Sequence, residues 1–283
     1  MRTFTLVFLL FTCSTAICRD SLMVNDGFHQ IEGSSWRKTT SGAMVAGFLG
    51  LSLWWGFDAW WQGNSEPFHL IHEGWFHDYS LGIDKIGHFY TAYFYFRTFR
   101  NIMLWGGHDR STALWWGVGG TALFSLCVEV GDGFTIWGFS FDDLTANTLG
   151  LCYGVLQTEV PYMQNFNFKW SYVPRSATER ITQITSNYDS HTYWLAINVN
   201  GLLPESAKSY WPEFLQLAVG YGVGENSTRR EAAIGLDFNL EVFSPPGRDL
   251  LLLQKTVNMF HFPAPAIKFT QGKEPSYHLF HTR

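Results

Sequence analysis

"REAAIGLDFNLEVF", residues 230–243, decides the fold class of the C-terminal half. Ala232, Ile234, Leu236, Phe238, Leu240 and Val242 alternate with Glu231, Gly235, Asp237, Asn239 and Glu241. Side chains on a strand point alternately to opposite faces, so period two over a dozen residues predicts a long strand with one apolar and one wet face. Working outward, "HTYWLAINV" (191–199) and "LQLAVGYGV" (215–223) show the same β-forming alternation. "AIKFTQ" (266–271) and "SYHLFH" (276–281) add two candidates. Short helices at 204–211 and 248–260 interrupt the series. Five or six strands are fewer than the roughly eight of the smallest outer-membrane barrels, which points to a small antiparallel sheet packed on helices or on a membrane surface.

Before Pro161 the chain reads differently. "GAMVAGFLGLSLWWGFDAWW" (42–61) and "STALWWGVGGTALFSLCVEVGDG" (111–133) are apolar, rich in Gly and Ala, and each near the length that crosses a bilayer. Residues 84–105 are more polar, with Lys85, His88, Arg97 and Arg100, and suit a helix packed inside a bundle or at its surface. In 141–158, Ser140 followed by Asp143 has the form of a helix N-cap, and Ala146, Gly150 and Gly154 recur every fourth residue as a smooth packing ridge. The chain is therefore α+β. An apolar, membrane-associated bundle of about four helices spans 40–160, and an antiparallel β-rich region spans 161–283.

Composition agrees with an envelope setting. Charged residues make up 15% of the 283 residues and aromatics 18%, with 13 Trp. That balance suits contact with lipid, where Trp and Tyr favour the interface. The net charge of −5 and the lack of a basic stripe exclude nucleic acid as an expected partner. Residues 1–18, with Arg2, the apolar run Thr3 to Phe11 and small residues from Ser14 to Ala16, read as a secretory signal peptide. "TAIC" (15–18) places Ile17 where a lipobox takes Gly, Ala or Ser, so Cys18 is not expected to carry lipid. Cys127 and Cys152 read as two buried thiols, with a bridge permitted in an oxidising compartment. His69, His72 and His77 lack the spacing of a metal centre.

The polar residues that break the apolar helices form the candidate site. Asp84, Lys85 and His88 open one helix, with Asp84 and His88 on one face. Glu129 and Asp132 close another, and Asp143 and Asn147 open a third. Carboxylates at helix starts are also ordinary dipole partners, and a network that only fixes packing would have the same composition. Ionisable groups in an apolar bundle tend to be paired and are often functional. His88, Glu129 and Asp143 are thus candidate catalytic residues. Asp84, Lys85, Asp132 and Asn147 are candidate binding residues. The metal, if any, and the cofactor are unknown.

"DKIGHF" (84–89), "EVGDGF" (129–134) and "FSFDDLTANTLGLCYG" (139–154), in this order, resemble the YfiM-type envelope proteins, a domain of unknown function, and more distantly the VanZ-like membrane proteins. The resemblance covers roughly 80–160 and maps onto Asp84, Lys85, His88, Glu129, Asp132, Asp143, Asn147 and Gly150. The chain departs from the VanZ-like pattern after Glu129, where Gly131-Asp132 replaces an expected Gln, and it lacks the Arg before Asp143. The resemblance implies no established reaction. Two functions follow as expectations. One is an exported envelope protein of structural, binding or scaffold type, in contact with membrane lipid and open to an envelope protein partner, at the outer membrane or the periplasmic face. The alternative is a membrane enzyme acting on a lipid or lipid-linked substrate through a His/Glu/Asp site. No Gly-x-Ser-x-Gly, His-Glu-x-x-His or complete phosphate loop supports a familiar hydrolase or kinase.

Overall fold

The computed structural model describes residues 27–28, 34–174, 182, 184–185 and 187–281. The signal-peptide segment and Cys18 lie outside them. Four long helices form the first half: α1 (Ser35–Gly56), α2 (Ile83–Trp105), α3 (Arg110–Asp132) and α4 (Phe141–Glu159). The apolar stretch 42–61 is not one α-helix, because Phe57–Trp61 form a π-helical turn after Gly56. By length and composition α3 alone among the described helices is long and apolar enough to cross a membrane, with 39% of its most apolar window buried.

Helix α2 is the hub. Its aromatic face packs on α3, where Tyr95 stacks on Phe124 at 4.1 Å, and Phe99 closes a core with Val45, Met103 and Val128. On its other side α4 approaches closely enough that a Cβ on Gly150 would fall 1.9 Å from the Phe89 carbonyl oxygen. Only a residue without a side chain fits there, which explains the small-residue ridge on α4. Asp109 caps α3 by accepting from the Thr112 amide at 2.9 Å, and Ser140 caps α4 by accepting from the Asp143 amide at 3.2 Å. Cys127 and Cys152 are free thiols, each half-buried.

Two short parallel strands, β1 (Leu70–Ile71) and β2 (Phe139–Ser140), tie the loop after α1 to the start of α4. The second half is a six-stranded antiparallel meander in chain order: β3 (Phe166–Tyr172), β4 (His191–Ile197), β5 (Leu215–Gly224), β6 (Arg229–Phe238), β7 (Ala264–Thr270) and β8 (Ser276–His281). Strand β3 was not anticipated from the sequence. Residues 205–210 form a 3-10 segment, and helix α5 (Arg248–Val257) precedes β7.

Strand β6 ends at Phe238, and Leu240–Val242 turn as a 3-10 segment, so the alternating stretch is shorter than 230–243. Its polarity is also reversed from the expectation of a wet outer face. Asp237 is fully buried while Ile234 is 53% exposed. The register shows why. One row across the sheet reads Phe168, Leu195, Val219, Ile234, Ile267, Tyr277 on one face. The adjacent row on the opposite face reads Lys169, Trp194, Gly220, Ala233, Lys268, Ser276. The second face lines the interior. There Lys169 Nζ sits 2.6 Å from Asp237 Oδ2, His261 Nδ1 lies 3.0 Å from Asp237 Oδ1, and the His261 ring stacks on Trp194 at 3.9 Å. Gly220 and Gly235 leave no space for a Cβ, so this face is filled by a few large polar and aromatic groups between small residues.

Candidate functional site

The start of α2, the end of α3 and the start of α4 meet at one end of the bundle. A sharp turn sets the first. Leu81 and Gly82 both have positive φ, and the Gly82 amide donates to Asp78 Oδ1 at 2.7 Å. A Cβ on Gly82 would lie 2.7 Å from the Trp75 carbonyl oxygen, so glycine is required there. The loop that carries Glu73 is fastened over α4 by His72, whose Nδ1 is 2.7 Å from Asp142 Oδ2, and by the Gly74 amide, which donates to the same oxygen at 3.2 Å.

His88 stands in the middle. Its Nε2 lies 3.7 Å from Asp143 Oδ1 and 3.8 Å from Asp84 Oδ1, and its Nδ1 lies 3.6 Å from Glu129 Oε1. These are ion-pair distances, longer than hydrogen bonds. Lys85 is nearly fully buried, and its ammonium meets three carboxylates: Asp143 Oδ1 at 2.6 Å, Asp84 Oδ2 at 2.9 Å, and Glu73. Asn147 donates to Glu129 Oε1 at 3.2 Å, Trp61 Nε1 donates to Asp132 Oδ1 at 2.7 Å, and Tyr188 Oη donates to Asp84 Oδ1 at 2.8 Å. All seven residues singled out in the sequence therefore occupy one end of the bundle. Glu73, Trp61 and Tyr188 join them from a loop, a π turn and a 3-10 turn, where no periodicity marks them.

The electrostatics follow from burial and pairing. Burial pulls the His88 pKa down, but Asp143, Asp84 and Glu129 outweigh it and hold the imidazole at about 9. Burial opposes the ionisation of Asp84, yet His88 and Lys85 keep its carboxyl below the usual range. Lys85 is likewise shifted upward, because its carboxylates overcome its own desolvation. Desolvation lifts Glu73, and it raises Glu129 to about 8 and Asp132 to about 6. At neutral pH the centre holds His88 and Lys85 as cations, while burial resists ionisation of Glu129 and, less strongly, of Asp132.

A cavity of about 520 Å³ opens onto this cluster. Asp84, His88, Asp132, Asp143 and Asn147 line its polar end, while Leu51, Trp55, Trp60, Tyr95, Phe124 and Trp137 form an apolar, mostly aromatic wall. His88 is 22% exposed, whereas Glu129 and Lys85 are each 1% exposed, so His88 is the accessible member of the trio. Asp84, His88 and Asp143 offer ligand atoms within 4.8 Å of one another, a geometry compatible with a cation. Their charge is already answered by Lys85 and by the proton on His88, so a metal would have to displace both.

Residues 72–159, which carry Glu73 and every candidate side chain from Asp84 to Asn147, match the family model described as "Predicted periplasmic lipoprotein (DUF2279)". No curated protein and no solved structure matches the chain. The match is to residues 72–159 alone, and the family's description names an envelope location and no activity.

Proposed function

We propose that this is a membrane-associated envelope enzyme acting on a lipid or lipid-linked substrate by general acid–base chemistry at His88. The observation that carries it is the convergence of His88, Asp132 and Asp143 at the polar end of an open cavity with a largely aromatic wall, with the buried Glu129 3.6 Å from His88. An acyl chain would lie along Trp55, Trp60 and Phe124, and the bond to be cleaved would sit over His88. Among the described residues the centre has no unpaired cation, since Lys85 is enclosed by Asp84, Asp143 and Glu73. Lys85 therefore orders the carboxylates and does not bind an anionic headgroup, and an uncharged ester or amide fits better than a bare phosphate. In hydrolysis, Asp132 would take the proton of the attacking water and His88 would give its proton to the departing group.

The order of the three motifs also supports relating this helical half to the YfiM-type proteins, ahead of the VanZ-like ones. A second reading, a polar network that only fixes packing, is favoured by the burial of Lys85 and Glu129. The test is a strain lacking the chain, complemented with the wild type or with His88→Gln, with envelope lipids compared by mass spectrometry. The enzyme reading expects His88→Gln to be present at normal abundance and to leave the lipid profile of the deletion unchanged. Full complementation by His88→Gln would sink it.

A further inference from the structure

We infer that the outer face of β5–β8 lies against lipid acyl chains. The proposal deepens the membrane association proposed above, and it does not depend on the catalytic reading of His88. Its basis is the reversed polarity of the sheet. Lys169, Gln216 and Asp237 are fully buried, whereas Val219, Ile234, Tyr277 and Leu279 are 48%, 53%, 80% and 71% exposed. In water an antiparallel sheet places its apolar face on the core and its polar face outside. Apolar-out and polar-in is the arrangement of strands whose outer medium is hydrocarbon.

Two further observations point to lipid. First, the face is continuous with one that already has an apolar neighbour. On β3 and β4 it packs on α2, with Phe168 at 4.8 Å from Phe89 and Tyr193 at 5.6 Å from Tyr90. From β5 onward the row stays apolar, with Val219, Ile234 and Tyr277 exposed among the described residues, while Tyr221 on the same face of β5 donates to the Leu81 carbonyl at 2.6 Å. Second, ion-paired charges cap the β5–β6 and β7–β8 hairpin tips. Arg229 pairs with Glu225 at 2.6 Å and Lys273 pairs with the same carboxylate, both at the hairpin tips. Across the row from Phe168 to Tyr277 there is no charged side chain to form the polar rim of a protein interface.

The test uses the full chain with all four native cysteines, Cys13, Cys18, Cys127 and Cys152, replaced by Ser and one added cysteine, Val219→Cys, Ile234→Cys or Leu279→Cys, with Asn226→Cys at the hairpin tip as the control. Each is labelled with an environment-sensitive fluorophore and reconstituted in phosphatidylcholine vesicles with plain or brominated acyl chains. The expected result is blue-shifted emission at 219, 234 and 279, with loss of fluorescence in brominated vesicles only, and neither change at 226. Labels at the three face positions that iodide quenches from the aqueous phase overturn the proposal. So does shielding that persists in brominated vesicles without quenching and weakens on dilution, because it would show a second copy covering the face. Three separate positions keep the test valid should one variant fail to fold. Failure here leaves the His88→Gln outcome untouched, and the reverse also holds.

Discussion

Lys85 Nζ lies 2.6 Å from Asp143 Oδ1, joining the first turn of α2 to the first turn of α4 beneath His88. The contact is buried and also holds Asp84 and Glu73, so one cation sets the position of three acids that come from different parts of the chain. Removing it leaves those acids uncompensated. Lys85→Met is expected to destabilise the protein by about 3–5 kcal/mol, as for other buried pairs broken on one side. Denaturant unfolding of the purified variant measures this, and a loss below about 1 kcal/mol would mean that the acids relax or take up protons without cost.

The same cluster sets a pH dependence on the alkaline side. The His88 pKa is raised from an ordinary value of 6.5 to about 9, so its contribution is fully present below pH 6.5 and is lost as pH rises through 9. Glu129, raised from 4.5 to about 8, stays protonated in the fold while it would ionise in the unfolded chain, and this too lowers stability as pH rises toward 8. The melting temperature is expected to fall between pH 6.5 and 9, and His88→Gln should flatten that slope. Asp84, whose pKa is lowered, acts in the opposite sense, and its contribution is lost only on the acid side. A melting temperature that is level from pH 6.5 to 9 would contradict this assignment.

Helix packing supplies a sharp contrast between glycines. A Cβ at Gly150 would fall 1.9 Å from the Phe89 carbonyl oxygen, while one at Gly47 meets nothing within 4 Å. Gly150→Ala is expected to push α4 off α2 and to cost about 1–3 kcal/mol. Gly47→Ala, on an open helix position, should be neutral or stabilising by up to about 1 kcal/mol. Comparing the two melts checks the packing directly, and equal effects would refute the close approach.

The sheet interior makes a separate prediction. Lys169, Asp237 and His261 form a buried set, with the lysine ammonium also donating to the Phe238 carbonyl at 2.7 Å. Lys169→Met alone is expected to cost about 3–5 kcal/mol, and adding Asp237→Leu should recover part of the loss, because the isolated carboxylate is then gone as well. Additive losses in the double variant would show that the two side chains do not depend on one another.

Much of this molecule is determined by local sequence. The change from helix to strand near Pro161, the cap at Ser140 and the small-residue ridge at Ala146, Gly150 and Gly154 are short-range patterns, and each appears in the fold. The spacing of Asp84 with His88 and of Asp143 with Asn147 likewise places each pair on one helix face, because helical geometry is local. Tertiary structure alone decided the rest. Glu73 and Tyr188 reach the site from segments without periodicity, and only the packing of α2, α3 and α4 brings His88 within 3.6–3.8 Å of Glu129, Asp84 and Asp143. The sheet makes the same point. Alternation in 230–238 establishes that the two faces of β6 differ, but not which one is enclosed. That depends on strand curvature and on the neighbours. With Trp194, Lys169 and His261 filling the interior between glycines and alanines, the polar face closes inward and the apolar face is left outside.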